Sequence, residues 1–298
     1  MRHLNLDQLH AFMQVAEAGS FSVAAQRLNL TQPAISMQVR QLEQRLGLPL
    51  LERLGRRVTP TAAGLDLIAH ARQIDAAVDA ALAAMAVHAG GTVGRVRLAT
   101  GATACIYLLP PVLRDLRARL PGLEILVSTG NTPDILRAVE DNQIDLALVT
   151  LPVSGRVFEV VPLLEESFVA IASAEASPLP ATVAPQDFVG RPLVLYEPGA
   201  NTRSLIDDWF RAAGLAPRPV MELGSAEAIK RLVGAGLGYS VLPRTAIDGA
   251  GVEALSQHPL VPPLTRQLGL VRRRDKAVDA ALAETIRALE SLATRTPA

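Results

Sequence analysis

The sequence predicts a three-part fold: an N-terminal winged helix-turn-helix head over residues 1–60, all-α with a small β wing, a long linker helix and hinge over 61–91, and a C-terminal α/β region over 92–298. Three observations predict it. Two short helical patterns joined by a tight turn lie between residues 22 and 42, an alanine-rich stretch follows residue 61, and strand and helix patterns alternate from residue 95 onward. A chain of 298 residues exceeds one usual core and predicts about two globular units plus a connector.

In the head, Thr31 suits an N-cap and Pro33 falls in the first helical turn, where its missing N–H costs nothing. Gln32, Ser36, Met37 and Arg40 then recur on one side of the helix, with Ala34, Ile35, Val39 and Leu42 on the other. One face packs and the other is free to read base edges. Gln32 and Ser36 are the first choices for base contact, since both donate and accept, while Arg40 reaches phosphate or guanine. The preceding segment, 23–28, offers Ala24, Ala25 and Leu28 to the packing and turns Arg27 outward. Residues 50–59 place a glycine between short apolar runs, a small hairpin whose Arg53, Arg56 and Arg57 meet the DNA backbone.

The same outline occurs in helical domains that touch no DNA. Local charge argues for the nucleic-acid reading. The whole chain is neutral, with 29 basic and 29 acidic residues, yet residues 27–57 hold six arginines (27, 40, 45, 53, 56 and 57) against Glu43 and Glu52. Such a local excess is what a phosphate footprint requires.

The motifs are dense enough to carry a resemblance. Ala16-Glu17-Ala18-Gly19-Ser20-Phe21-Ser22, Thr31-Gln32-Pro33-Ala34-Ile35-Ser36, Gln41-Leu42-Glu43 and Arg53-Leu54-Gly55-Arg56-Arg57-Val58-Thr59-Pro60-Thr61-Ala62-Ala63-Gly64 make the chain resemble a LysR-type transcriptional regulator. Leu51 stands where the family commonly has Phe, and Met37 where a basic residue or Leu is frequent. The resemblance implies DNA contact through Arg27, Thr31, Gln32, Pro33, Ser36, Met37, Arg40, Arg53, Arg56 and Arg57. It also implies a dimerisation helix and an effector-binding region of two subdomains with the fold of periplasmic solute-binding proteins. The subdomains fall at about 92–163 with 267–298 and at about 164–266, hinged near 160–165 and 264–268. Double-stranded DNA with an inverted-repeat site, a small-molecule effector, RNA polymerase and a homodimer or tetramer are the implied partners; no cofactor and no membrane are expected.

Residues 61–88 hold eleven alanines and neither proline nor an aromatic residue. Leu67, Ala71, Ile74, Val78, Ala81 and Met85 alternate at spacings of four and three, the seam of a coiled coil. A partner helix is expected, the alternative being a helix packed on its own chain. The rod ends at Ala89-Gly90-Gly91-Thr92, a hinge.

Beyond it, apolar runs at 95–99, 123–128, 144–150, 168–173, 193–196, 220–223, 239–242 and 268–272 predict strands. Helical patterns at about 108–119, 133–142, 202–213, 225–235 and 276–294 lie between them, predicting mainly parallel sheets. Ligands in such folds sit beyond the carboxyl ends of strands, against helix N-termini. Thr100 and Thr103 after the first strand, Asn131 after the second, Thr150 after the third, and Thr202 and Arg203 after Tyr196 are candidate effector ligands. Arg203 is expected to neutralise a small carboxylate or oxyanion; the alternative makes Thr100, Asn131 and Thr202 ordinary helix caps.

An enzyme is not expected. P-loop, G-x-S-x-G and H-E-x-x-H motifs are missing from the sequence, and the five histidines are scattered. Gly234-Ala235-Gly236-Leu237-Gly238 follows a helix and precedes a strand, the wrong order for a dinucleotide site, and reads as a helix stop. A solute-binding or sensing protein with a vestigial head is the second function class. The single cysteine, Cys105, excludes an intramolecular disulfide and reads as a small packed side chain. The N-terminus lacks the apolar segment of a secretory signal, which predicts a cytoplasmic protein.

Overall fold

The chain is described by a computed structural model over residues 4–54, 57–88, 94–247 and 255–294. It divides into two compact units, 1–82 and 83–298. In the first, α1 (Leu6–Ala18) is capped by the Asn5 side chain, which accepts from the Asp7 and Gln8 amides, and ends in a left-handed Gly19. The helix α2 (Phe21–Arg27) starts two residues earlier than its apolar pattern, because the Ser20 hydroxyl accepts from the Val23 amide and sets the N-terminus there. The helix α3 (Gln32–Leu46) has Thr31 as N-cap, its hydroxyl accepting from the Ala34 amide at 3.4 Å, and Gly47 in the left-handed region at its end. Leu9, Phe12, Ile35, Val39 and Leu42 close the core between these helices.

The wing is the antiparallel pair β1 (Leu51–Leu54) and β2 (Arg57–Pro60), in which Arg53 is opposite Val58. The Glu43 carboxylate of α3 accepts from the Leu50 and Leu51 amides at 2.8 and 3.2 Å, fastening the wing to that helix. Gly55 and Arg56 lie outside the described residues.

The linker helix α4 (Ala62–His88) runs 27 residues, about 40 Å at 1.5 Å per residue. Its seam divides. Ala71 is wholly buried, and Leu67 and Ile74 pack with it on the head core, so the alternative of a helix packed on its own chain holds for this half. Val78 and Met85 remain 36% and 60% exposed. Gly64 permits the docking: a Cβ there would come within 2.1 Å of the Leu50 carbonyl oxygen. The predicted hinge at 89–92 lies outside the described residues.

In the second unit, β3 (Arg95–Thr100), β4 (Glu124–Thr129) and β5 (Leu146–Thr150) are parallel, interleaved with α5 (Ala102–Tyr107), α6 (Leu109–Arg119) and α7 (Thr132–Glu140). The strand β6 (Phe158–Ser173) is ten residues longer at its start than its apolar run. That first half contains Pro162 and three acids, and it is held by antiparallel pairing with β11 (Thr265–Arg273), with a bulge where Leu268 faces Leu164 and Gly269 faces Pro162. Its second half pairs with β9 (Ser240–Pro243) and β10 (Leu255–Pro259). A parallel pair, β7 (Leu193–Tyr196) and β8 (Pro219–Leu223), is flanked by α8 (Asn201–Ala212) and α9 (Ala226–Gly234).

Mixed sheets thus replace the mainly parallel ones expected, since β6, β9, β10 and β11 are joined antiparallel. Two subdomains result, one core drawn from residues 168–260 and the other from 96–292, with β6 and β11 running from one to the other. The final helix α10 (Ala280–Glu290) closes the latter core, capped by Asp279. At the end of α9 the glycine run is the predicted stop: Gly236 is left-handed, and a Cβ on Gly238 would meet the Pro192 oxygen at 2.5 Å.

Candidate functional site

The head presents one face. In α3, Ile35, Val39 and Leu42 are buried, whereas Gln32, Pro33 and Arg40 are exposed, Ser36 is half-buried and Met37 is 56% exposed. Thr31 is exposed at the same N-terminus, its hydroxyl engaged in the cap. Arg27 is exposed with a loose 3.5 Å contact to Glu17, a pairing that water screens and that releases the guanidinium at little cost. Arg57 projects from β2 into solvent. Arg53 is placed in β1 by its backbone, and Arg56 lies outside the described residues.

The second site is a cleft of about 270 Å³ between the two subdomains of the second unit. Thr103, Asn131, Thr150 and Thr202 all line it, joined by Tyr196 and Arg266. Asn131 and Ala200 hold the N-cap positions of α7 and α8 without a side-chain cap, so amides of both first turns are left for another acceptor. The Tyr196 hydroxyl is buried and finds no hydrogen-bond partner among the described residues. Burial pushes its pKa up to about 12, which keeps the proton on oxygen and makes the phenol a donor.

Two expected ligands are placed elsewhere. Thr100 is fully buried and donates to the Leu148 carbonyl at 2.7 Å, tying β3 to β5. Arg203 turns away from the cleft: its guanidinium donates to the Tyr196 carbonyl at 2.6 Å, to Glu222 at 2.7 Å and to Asp207 at 2.9 Å. These acceptors lie at the end of β7, on the adjacent β8 and one helical turn on, so Arg203 braces α8 against its own sheet.

The cation in the cleft is instead Arg266, on β11. Its guanidinium donates to Glu166 at 2.6 Å and to the Thr202 hydroxyl at 2.9 Å, and its carbon stands 5.7 Å from the centre of the Phe168 ring. Both ionic partners are buried, and Glu166 also accepts from the Thr245 hydroxyl. The sequence held a signal for this pair. Arg266, Leu268 and Leu270 alternate on the inner side of one strand, and a charge among core positions needs a buried counter-charge.

A second contact spans the subdomains. The Tyr107 hydroxyl of α5 donates to Glu227 of α9, which also pairs with the buried Lys230; the ammonium lies 5.0 Å from the Tyr107 ring centre. Burial and the Glu227 carboxylate hold the Tyr107 phenol well above its ordinary range. Cys105, on the same helix, is half-buried and free.

Among the described residues, no three His, Cys, Asp or Glu side chains gather to hold a metal, and no helix is long and apolar enough to cross a membrane. With both sites in view, the relatives decide between regulator and solute carrier. The family model for bacterial regulatory helix-turn-helix proteins of the lysR family matches residues 6–65, and the LysR substrate binding domain matches 89–293. The chain belongs to the LysR family. Its LysR relatives include the HTH-type transcriptional activator CmpR of Synechocystis, 34% identical over 85% of this chain and 83% of CmpR. The HTH-type transcriptional regulator CbbR of Rhodospirillum rubrum is 35% identical over 83% of this chain and 81% of its own. In fold, full-length CbnR in complex with its target DNA superposes with a TM-score of 0.73 at 24% identity, covering 97% of this chain and 99% of CbnR. These relatives are named as regulators, which agrees with the expectation that this LysR chain is not an enzyme.

Proposed function

We propose that this LysR-type regulator reads a double-stranded operator with Gln32, Ser36 and Met37 and holds the flanking phosphates with Arg27, Arg40, Arg53, Arg56 and Arg57. The observation that carries the reading is the split of α3, whose one face is sealed into the head core while the other is solvent-facing over its first three turns. Met37 adds an apolar surface suited to a thymine methyl group. The DNA-bound form of CbnR supports a DNA target for this chain, and an inverted-repeat site read by paired heads is what the family resemblance implies. Val78 and Met85, left bare on α4, supply part of a face for that pairing.

In the cleft, the uncapped turns of α7 and α8, the Tyr196 hydroxyl and Arg266 are donors, which favours a small anion. A volume of about 270 Å³ sits at the bottom of the range for organic ligands. The effector is therefore a small carboxylate or inorganic oxyanion, contacted by Thr103, Asn131, Thr150 and Thr202. Its preference for one subdomain arrangement shifts how protomers associate, and with it the bending of DNA and the approach of RNA polymerase. We keep the subdomain limits at 92–163 with 267–298 and at 164–266, because the two cores fall on either side of them.

Retardation of promoter fragments by the purified protein tests the first part. Gln32→Ala with Ser36→Ala is expected to weaken operator binding by about tenfold or more while melting is unchanged, because neither side chain is buried. Unchanged retardation by the double variant contradicts this reading. Thermal shift with sulfate, phosphate and small carboxylates tests the second. An anion that raises the melting temperature in the parent but not in Asn131→Ala supports the cleft, and equal shifts in both oppose it.

A further inference from the structure

The two subdomains meet through more than their shared strands. The six-residue helix α5 belongs to the first and sends Ala104 into that subdomain's core, yet three residues on, Tyr107 packs against the core of the second. Among the described residues of that second core and its packed rim, Tyr107 alone comes from outside 168–264. We infer that Tyr107 is a latch between the subdomains, a positioning residue that holds them together and so sets how readily the cleft opens.

The chemistry around its ring supports this. Lys230 of α9 is buried, and a buried ammonium needs a counter-charge. Glu227, about one turn earlier on the same helix, supplies it. That pair lies wholly within α9, so it survives any movement of one subdomain against the other. The contacts of Tyr107 do not. Its hydroxyl donates to the Glu227 carboxylate, and its ring centre stands 5.0 Å from the Lys230 ammonium. Opening the cleft at α5 withdraws the ring from the second core, takes the phenol donor from Glu227 and admits water to Lys230.

The position separates this contact from ligand binding. Thr103, about one turn earlier on α5, lines the cleft and Tyr107 does not. An effector that prefers one arrangement of the subdomains acts with or against the latch, so part of its affinity is decided at a residue that it does not reach. That consequence rests on the cleft being the effector site; the latch itself does not.

The test uses the full-length protein with no ligand added. Thr150 is buried in the lining of the cleft, and Ser240 is wholly buried in β9 of the second subdomain, its hydroxyl without a hydrogen-bond partner among the described residues. Thr150→Cys and Ser240→Cys are made in separate proteins, and reaction with N-ethylmaleimide is followed by peptide mass, which distinguishes the new thiol from Cys105. A thiol exposed only by opening reacts in proportion to the open fraction. Tyr107→Phe keeps the ring and removes the hydroxyl, and it is expected to speed labelling of Thr150→Cys by about tenfold, the worth of a hydrogen bond to a charged group. Tyr107→Leu, which removes the ring as well, is expected to speed it further. In Tyr107→Phe, Ser240→Cys should react at its parent rate, because the second subdomain stays folded. A Thr150→Cys rate that Tyr107→Phe leaves unchanged overturns the assignment. So does an equal acceleration at Ser240→Cys, which is general loosening rather than opening. If Tyr107→Leu does not fold, Tyr107→Phe still decides the matter. Because no anion takes part, a failed latch leaves the cleft reading standing, and a cleft that binds no anion leaves the latch standing.

Discussion

Arg266→Met is the perturbation that tests the wiring of the second unit. The substitution keeps an unbranched apolar side chain as far as the position of Nε and removes the guanidinium, whose carbon stands 5.7 Å from the centre of the Phe168 ring. Glu166, about 3% exposed, then keeps the Thr245 hydroxyl and loses its counter-ion, while the Thr202 hydroxyl loses its donor. Breaking a buried pair from one side costs about 3–5 kcal/mol, against about 5–15 kcal/mol for a whole domain. Replacing both partners removes the stranded charge, so Arg266→Met with Glu166→Gln should recover more than about 1.5 kcal/mol of that loss. Urea unfolding followed through Trp209 reads this directly. It is the single tryptophan, 5% exposed, in the same core as Phe168, with its indole N–H on the Pro262 carbonyl at 2.8 Å. The expected result is a lower midpoint at constant slope for the single variant and a partial return for the double. A single variant within about 1 kcal/mol of the parent, or a double equal to the sum of the singles, would refute the reasoning.

Three further outcomes are expected. Gly64→Ala should destabilise the first unit by about 1–3 kcal/mol, since the new methyl group meets backbone rather than a movable side chain; an unchanged thermal melt of that unit contradicts the docking of α4. Asp145 titrates below its ordinary range: burial pushes its carboxyl up, but hydrogen bonds from Arg97 and Lys276 outweigh that and hold it down. The resulting stability is present above the unfolded value near pH 4 and is lost as pH falls through the lower folded value, so urea midpoints should drop in that window and Asp145→Asn should flatten the drop. Arg57→Ala should reduce the slope of log affinity against log salt by about 0.9 for operator and random DNA alike; an unaltered slope removes Arg57 from the phosphate contacts.

The head was readable because its signals are local. Thr31, Pro33 and Gly47 bound one helix within a few residues of one another, and the buried positions recur at helical period between them. What the local pattern missed there was set by a single side chain: Ser20 caps α2 ahead of its first core residue, so Phe21 and Ser22 are helical without showing it. The stalk was harder for a physical reason. A seam spaced by four and three suits a partner helix and a domain surface equally, and the burial of Ala71 with Leu67 and Ile74 on the head core distinguishes them over residues 67–74. The two lysines of this arginine-rich chain both sit in clusters that join distant segments, Lys230 with Glu227 of its own helix and Tyr107 of α5, and Lys276 with Asp145.

The cleft shows where reading along the chain fails. Thr202 and Arg203 are neighbours in sequence at a strand-to-helix junction, which made them natural partners for one anion. Successive residues of a helix point about 100° apart, so a threonine directed into the cleft sends the next side chain elsewhere, here back to Tyr196 and Glu222. The cation that does meet the Thr202 hydroxyl comes from 64 positions later, delivered by the pairing of β11 with β6. No periodicity within either segment contains that pairing, because it follows from two strands passing between the subdomains. An arginine on the core side of β11 and a glutamate on the core side of β6 were the only trace of it, and they become legible as a pair once the register sets Arg266 opposite Glu166. The polar residues that line the cleft lie at loop ends that local chemistry marks; the buried Arg266–Glu166 pair lies on the crossing strands, where any movement of one subdomain against the other must act on it.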